Sequence, residues 1–111
     1  MIVALGDIYA QIPRREEVRE LMRLTQEQAR QEPGCLSYAF AETLDDPAHF
    51  VLIQRWRDQE AFDEHYRSPA FASYQAAITP QLVRSSELRV HVVDESFVPV
   101  DSERLDTSHD D

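Results

Sequence analysis

Apolar and polar positions change period several times along the 111 residues, and each change marks an element. Residues 1–12 are dense in β-branched and apolar side chains, which predicts a strand. Pro13 stands where a helix can begin, because the amide hydrogen it lacks would have no partner there. Over 14–31, Val18, Leu21, Met22, Thr25 and Ala29 recur on one helical face. Glu16 and Glu17 come early, where the helix dipole favours acids. Pro33 and Gly34 end this helix. From 35 to 43 the period drops to two: Leu36, Tyr38 and Phe40 face one way, Cys35, Ser37, Ala39 and Ala41 the other. A turn at 44–47 leads to a second strand over 49–57, with Phe50, Leu52, Gln54 and Trp56 on one face and Val51 and Ile53 on the other. Together these runs predict a hairpin. Asp58 caps a helix over 59–66 that carries Ala61, Phe62, His65 and Tyr66 at helical spacing. Ser68 and Pro69 break and restart it, and Phe71, Tyr74 and Ile78 continue the stripe until Pro80. Residues 86–98 predict a final strand.

The order β-α-β-β-α-β predicts an α+β, ferredoxin-like sandwich: one sheet of four antiparallel strands with helices on one face. A sheet of that kind should be apolar beneath its helices and polar on its free face. Here Val3 and Leu5 oppose Ile2 and Ile8, Val51 and Ile53 oppose Phe50, Leu52 and Trp56, and Val93 opposes Val90 and Val92. No element remains to cover a second apolar face. A second copy of the chain, packed sheet to sheet as a homodimer, is therefore expected.

Length fits one domain, placed at 1–98, followed by an acidic extension at 99–111. Residues 94–111 hold seven acids and one arginine, which predicts a flexible solubilising tail. Phe97, Val98, Val100 and Leu105 leave a second reading open, a strap across a partner subunit.

The formal charge of -10 argues against nucleic acid, which needs a basic footprint, and against anionic membrane surfaces. Two glycines leave no Gly-rich phosphate loop, and one cysteine leaves no disulfide framework or cysteine-based zinc site. No apolar run approaches the ~18 residues of a membrane span, and no secretory signal opens the chain. A cytoplasmic protein without a metal or a dinucleotide is the expectation.

The densest candidate chemistry is Trp56 at a strand end, His65 nine residues later on a helix, and Phe62, Tyr66, Phe71 and Tyr74 around them. Two readings stand. The imidazole lies beside aromatic walls in a small-molecule pocket, able to take a proton near neutral pH. Alternatively, the aromatic residues are core and His65 is a hydrogen-bonded helix residue. The other histidines offer less: His49 follows a turn, His91 lies on the last strand, and His109 lies in the tail, with no HxH or HxxxH pair among the four. Cys35 fits a small strand residue. Arg55, Arg57, Arg84 and Arg89 suit either surface ion pairs or an anionic substrate group.

The stretch EPGCLSYAFAETLDDPAHFVLIQRWRDQEAFDEHYRSPAFASY, residues 32–74, resembles the antibiotic biosynthesis monooxygenase domain. The features carrying the resemblance are a helix ending in EPGC, an L-x-Y-x-F strand, a strand ending in Trp, and a helix of the form D-x-E-A-F-x-x-H-x-x-S-P-x-F. The resemblance implies a dimeric α/β-barrel and a cofactor-free monooxygenase that oxidises quinols or anthrone-type aromatics to quinones with O2. Other relatives degrade haem or act on a phosphorylated signalling sugar. The family's helix histidine corresponds to His65 and its strand-end tryptophan to Trp56. Under this resemblance His65 is the candidate base, and Trp56, Phe40, Phe62 and Phe71 form a dry wall. Tyr38, Tyr74 or Arg89 would orient a substrate oxygen. Gln54, Leu52 and Ala70 depart from the acid, asparagine and second histidine found in relatives. The stretch 73–77 lacks the histidine of haem-degrading members, which argues against that activity. A non-catalytic ligand-binding dimer and a sugar-phosphate isomerase remain as alternatives.

Overall fold

The structure, a computed structural model, describes residues 1–100. Residues 101–111, which include Leu105 and His109 of the acidic extension, lie outside the described residues. Strand β1 spans Ile2–Tyr9, helix α1 Arg15–Ala29, β2 Cys35–Glu42, β3 His49–Trp56, α2 Gln59–Arg67, α3 Pro69–Ile78 and β4 Glu87–Val92. The sheet order is β2-β3-β1-β4, antiparallel throughout. Each βαβ unit thus leaves a gap that a strand of the other fills, which is the ferredoxin-like α+β arrangement the pattern predicts.

Register decides which residues share a face. Ile2, Ala4, Gly6 and Ile8 of β1 pair with Trp56, Gln54, Leu52 and Phe50 of β3, and all eight are buried beneath the helices. Val18, Met22 and Ala29 are the buried stripe of α1, with Leu21 partly buried against the same core. Trp56, Tyr38 and Phe50 are the largest fully buried side chains. An aromatic side chain of this size buries roughly 150–250 Å², an upper bound of about 4–6 kcal/mol at ~25 cal/mol per Å².

Strict alternation fails at one place. The β2–β3 register shifts between Cys35 and Ser37, so Cys35 lies opposite Trp56 and packs on the core. Leu36 is left half exposed rather than sharing the burial of Tyr38 and Phe40. A bulge inserts one residue and breaks the parity of everything before it. The end strands are also shorter than the pattern suggests. β1 gives way to a 3-10 turn at Ile12–Arg14, and β4 stops at Val92 rather than continuing to 98. Beyond it Phe97, Val98 and Val100 are exposed.

The opposite face of the sheet carries Val3, Leu5, Val51 and Ile53 at its centre, with Leu5 and Ile53 about half exposed. No helix of the described residues is long and apolar enough to cross a membrane.

Candidate functional site

Local capping fixes where the site is built. The Asp58 carboxylate accepts the Ala61 amide at 2.9 Å and so starts α2 at Gln59, three residues after Trp56. That bond, and the Arg57 guanidinium beside it, hold the Asp58 carboxyl below its ordinary range. Ala61 and His65, one turn apart, then face inward and are buried. Ser68 accepts the Phe71 amide at 3.1 Å, ending α2 and starting α3 with Pro69 in the first turn.

On the other side, α1 ends and the chain turns through Pro33 and Gly34. Gly34 has φ 82, and a Cβ there would lie 2.5 Å from the Cβ of Ala61. Only glycine allows this turn to press against α2. The close approach brings Glu32 Oε1 to 2.7 Å from His65 Nδ1.

Around this pair the aromatic residues gather. The His65 ring lies 4.9 Å from Trp56, 5.0 Å from Tyr66, 5.2 Å from Tyr38 and 5.4 Å from Phe71, centroid to centroid. In the neutral tautomer whose Nδ1 donates to the carboxylate, the other nitrogen keeps a lone pair. Nε2 is buried and has no partner among the described residues, and the same holds for the Tyr38 hydroxyl. A proton arriving at Nε2 would create an imidazolium held by Glu32 among aromatic rings. That is the arrangement of a positioned base.

A second polar chain runs beside it. Trp56 Nε1 donates to Gln54 Oε1 at 2.8 Å, and Gln54 Nε2 donates to the Tyr66 hydroxyl at 2.9 Å. Gln54 and Trp56 have no exposed surface. Burial raises the phenols of Tyr38, Tyr66 and Tyr74 above their ordinary range, so all three keep their protons at neutral pH. Burial and the neighbouring Glu32 likewise push the Cys35 thiol up, against a thiolate nucleophile.

Between sheet and helices lies a cavity of about 610 Å³. Gly6, Ile8 and Leu52 line it from the sheet, Tyr66, Phe71, Tyr74 and Ile78 from the helices, and Arg84, Ser85, Ser86 and Glu87 from the loop before β4 and its first residue. Mostly apolar walls with a few polar groups are the usual form of a small-molecule site.

The candidate residues separate into groups. Phe71 and Tyr74 line the cavity. Trp56 and His65 do come together, but Trp56 is sealed in the core. His65 lines a different hollow, with Glu32, Pro33 and Ser68. Tyr66 and Phe71 touch the imidazole and also line the cavity between sheet and helices, so they stand as the wall between that cavity and His65. Tyr38 is core, while Phe40 and Phe62 are partly buried packing around it. Arg89 is on the wrong side: it pairs with Leu5, whose neighbours Ala4 and Gly6 face the helices, so Arg89 faces away from His65. Glu32 and Gln54 join the site although the sequence pattern assigns neither of them a role there. Gln54 carries a signal, a lone amide on the Phe50-Leu52-Trp56 face. Glu32 carries none, since only the fold brings it to His65. Among the described residues no three His, Cys, Asp or Glu side chains gather as a metal ligand set.

Residues 1–77 match the model of the family described as antibiotic biosynthesis monooxygenase. A Synechocystis sp. relative, "Uncharacterized protein sll1783", is 30% identical over 95 residues, covering 86% of this chain and 65% of its own length. The Mycobacterium tuberculosis protein named "Putative monooxygenase Rv0793" is 36% identical over 70 residues, 63% of this chain and 68% of that protein. Its solved structure superposes with a TM-score of 0.79 at 29% identity, over 86% of this chain and 98% of that one. A structure from Deinococcus radiodurans superposes with a TM-score of 0.85 at 23% identity, over 90% and 99% of the two chains, and shares the fold.

Proposed function

The chain belongs to the antibiotic biosynthesis monooxygenase family, and from that premise we propose that it is a cofactor-independent monooxygenase of small hydroxylated aromatics, of quinol or anthrone type. The observation that supports this most is the Glu32–His65 pair: a buried imidazole with its carboxylate at 2.7 Å and a free Nε2, one ring away from an aromatic cavity.

The chemistry asks three things of the protein. It must take a proton from the substrate, hold the resulting anion, and keep water out. An electron-rich anion can pass one electron to triplet oxygen, and the radical pair can then combine. At an anthrone-type carbon the balance is CH2 plus O2 to C=O plus H2O. One oxygen atom enters the substrate and the other leaves as water, with all electrons drawn from the substrate. His65 serves as base once Tyr66 or Phe71 swings aside, and Glu32 stabilises the imidazolium. Phe71, Tyr74 and Leu52 exclude water.

The protein works as a homodimer in this proposal. Val3, Leu5, Val51 and Ile53 form an apolar centre on the uncovered face, with Asp7, His49, Arg55 and Arg89 around it. An apolar centre with a polar rim is the anatomy of a protein interface. A small aromatic and O2 are then the partners, together with a second copy of the chain, and the working place is the cytoplasm.

Oxygen uptake with an anthrone or quinol in chelator-treated buffer tests the activity. His65→Ala should lower it about 10²–10⁴-fold while the circular dichroism spectrum is retained. Uptake unchanged in His65→Ala would remove the imidazole from the reaction. A second reading, a binding protein without turnover, draws support from the ring wall between His65 and the cavity. It predicts that the same aromatics raise the melting temperature without any oxygen being consumed. The sugar-phosphate alternative gains little, since Arg84 is the one cation lining this cavity among the described residues.

A further inference from the structure

We propose that Tyr66 is a specificity residue whose hydroxyl hydrogen is aimed at the ligand by Gln54, so that the cavity selects an oxygen that accepts a hydrogen bond, such as a phenolate or quinone carbonyl. This rests on the cavity being the substrate site, as proposed above.

Directionality follows from one group that has no choice. An indole nitrogen only donates, so the Gln54 atom 2.8 Å from Trp56 Nε1 must be the carbonyl oxygen. The other end of the amide is then the NH2, and it faces the Tyr66 hydroxyl at 2.9 Å as a donor. Tyr66 therefore spends a lone pair on Gln54 and keeps its hydrogen. No acceptor takes that hydrogen among the described residues, and Tyr66 lines the cavity. The buried phenol stays protonated at neutral pH, which keeps the donor in place. Neither Gln54 nor Trp56 touches the cavity, so their part is to position.

The polarity of such a chain can be reversed without changing its shape. The Gln54→Glu substitution keeps an acceptor for Trp56 but turns the other end into an acceptor too. Tyr66 would then donate to the new carboxylate and offer the cavity a lone pair. Tyr66→Phe removes the group altogether.

The test uses 4-nitrophenol, whose phenolate absorbs in the visible, with wild type, Tyr66→Phe, Gln54→Glu and the double variant. Each is first checked for folding by circular dichroism and melting. In the wild type the bound probe should ionise at lower pH than the free probe, because the donated hydrogen favours the phenolate. Tyr66→Phe should weaken phenolate binding about tenfold or more and return the ionisation toward the free value. Gln54→Glu should push ionisation of the bound probe above the free value, and most of that rise should vanish in the double variant. An equal rise in both proteins that carry Gln54→Glu would mark plain charge repulsion and overturn the relay. Tyr66→Phe binding and titrating like wild type would overturn it even if Gln54→Glu fails to fold, as would a wild type that binds no 4-nitrophenol. Oxygen uptake is not read at any point. A protein that binds the probe as expected but consumes no oxygen keeps this inference and loses only the monooxygenase reading.

Discussion

The two faces of the sheet each hold a histidine with a carboxylate at 2.7 Å, and the two pairs have different surroundings. On the helix-covered face His65 meets Glu32, its side chain 2% exposed, inside a ring of four aromatic side chains. On the uncovered face His49 Nε2 meets Asp7, with side chains 20% and 48% exposed, and the imidazole stacks flat on Tyr9 at 4.4 Å. A carboxylate partner by itself therefore marks neither site. Water at the second pair screens the charges and offers hydrogen bonds to both groups. At the first pair the low-dielectric surroundings leave Nε2 a lone pair with no competing donor among the described residues. The same motif is a hydrogen-bonded surface pair on one side and a candidate base on the other.

The uncovered face offers the sharpest way to break the comparison. If a second copy covers it, His49 and Asp7 lose their water and the two faces become alike in burial. Ile53 stands near the centre of that face, about half exposed in the single chain. Ile53→Asp should leave the monomer folded and shift the protein from dimer to monomer in sedimentation at micromolar concentration. A buried unpaired carboxylate at an interface costs several kcal/mol, enough to move an association constant about a thousandfold. Wild-type protein that sediments as a monomer at that concentration would end the dimer proposal.

Within the covered face, Glu32→Gln separates orientation from charge. Glutamine preserves an acceptor for the Nδ1 hydrogen but cannot stabilise the imidazolium. Oxygen uptake should fall about tenfold, less than for His65→Ala, and the loss should appear in turnover more than in substrate affinity. Uptake unchanged in Glu32→Gln would mean that Glu32 holds the ring in place and does nothing else.

Much of the covered face is legible in the chain itself. The Val18-Met22-Ala29 stripe, the Asp58 and Ser68 caps and the Phe50-to-Trp56 alternation are local, and each needs only its own neighbours to be recognised. What escapes is whatever depends on distant contacts. Glu32 and His65 are far apart in sequence, and they meet because Gly34 lets one turn press on Ala61. Arg89 alternates cleanly with Leu88 and Val90, but alternation says only that they differ. Which of them faces the helices is set by the pairing of Arg89 with Leu5. Leu36 fails for a third reason, a bulge that shifts parity within a strand whose remainder alternates as expected.

His49→Ala carries the smallest effect and serves as the control for the comparison. The variant removes the bond to Asp7 and the stacking on Tyr9, both on a partly hydrated surface. Pairs in such surroundings contribute about 0.2–1 kcal/mol, so the urea midpoint should fall only slightly and the slope should stay the same. Oxygen uptake per folded protein should not change, because no part of this pair touches the cavity beneath the helices. A large loss of activity in His49→Ala with the dimer intact would place chemistry on the uncovered face. It would also show that exposure in the single chain is a poor guide to the working surroundings of the two histidines.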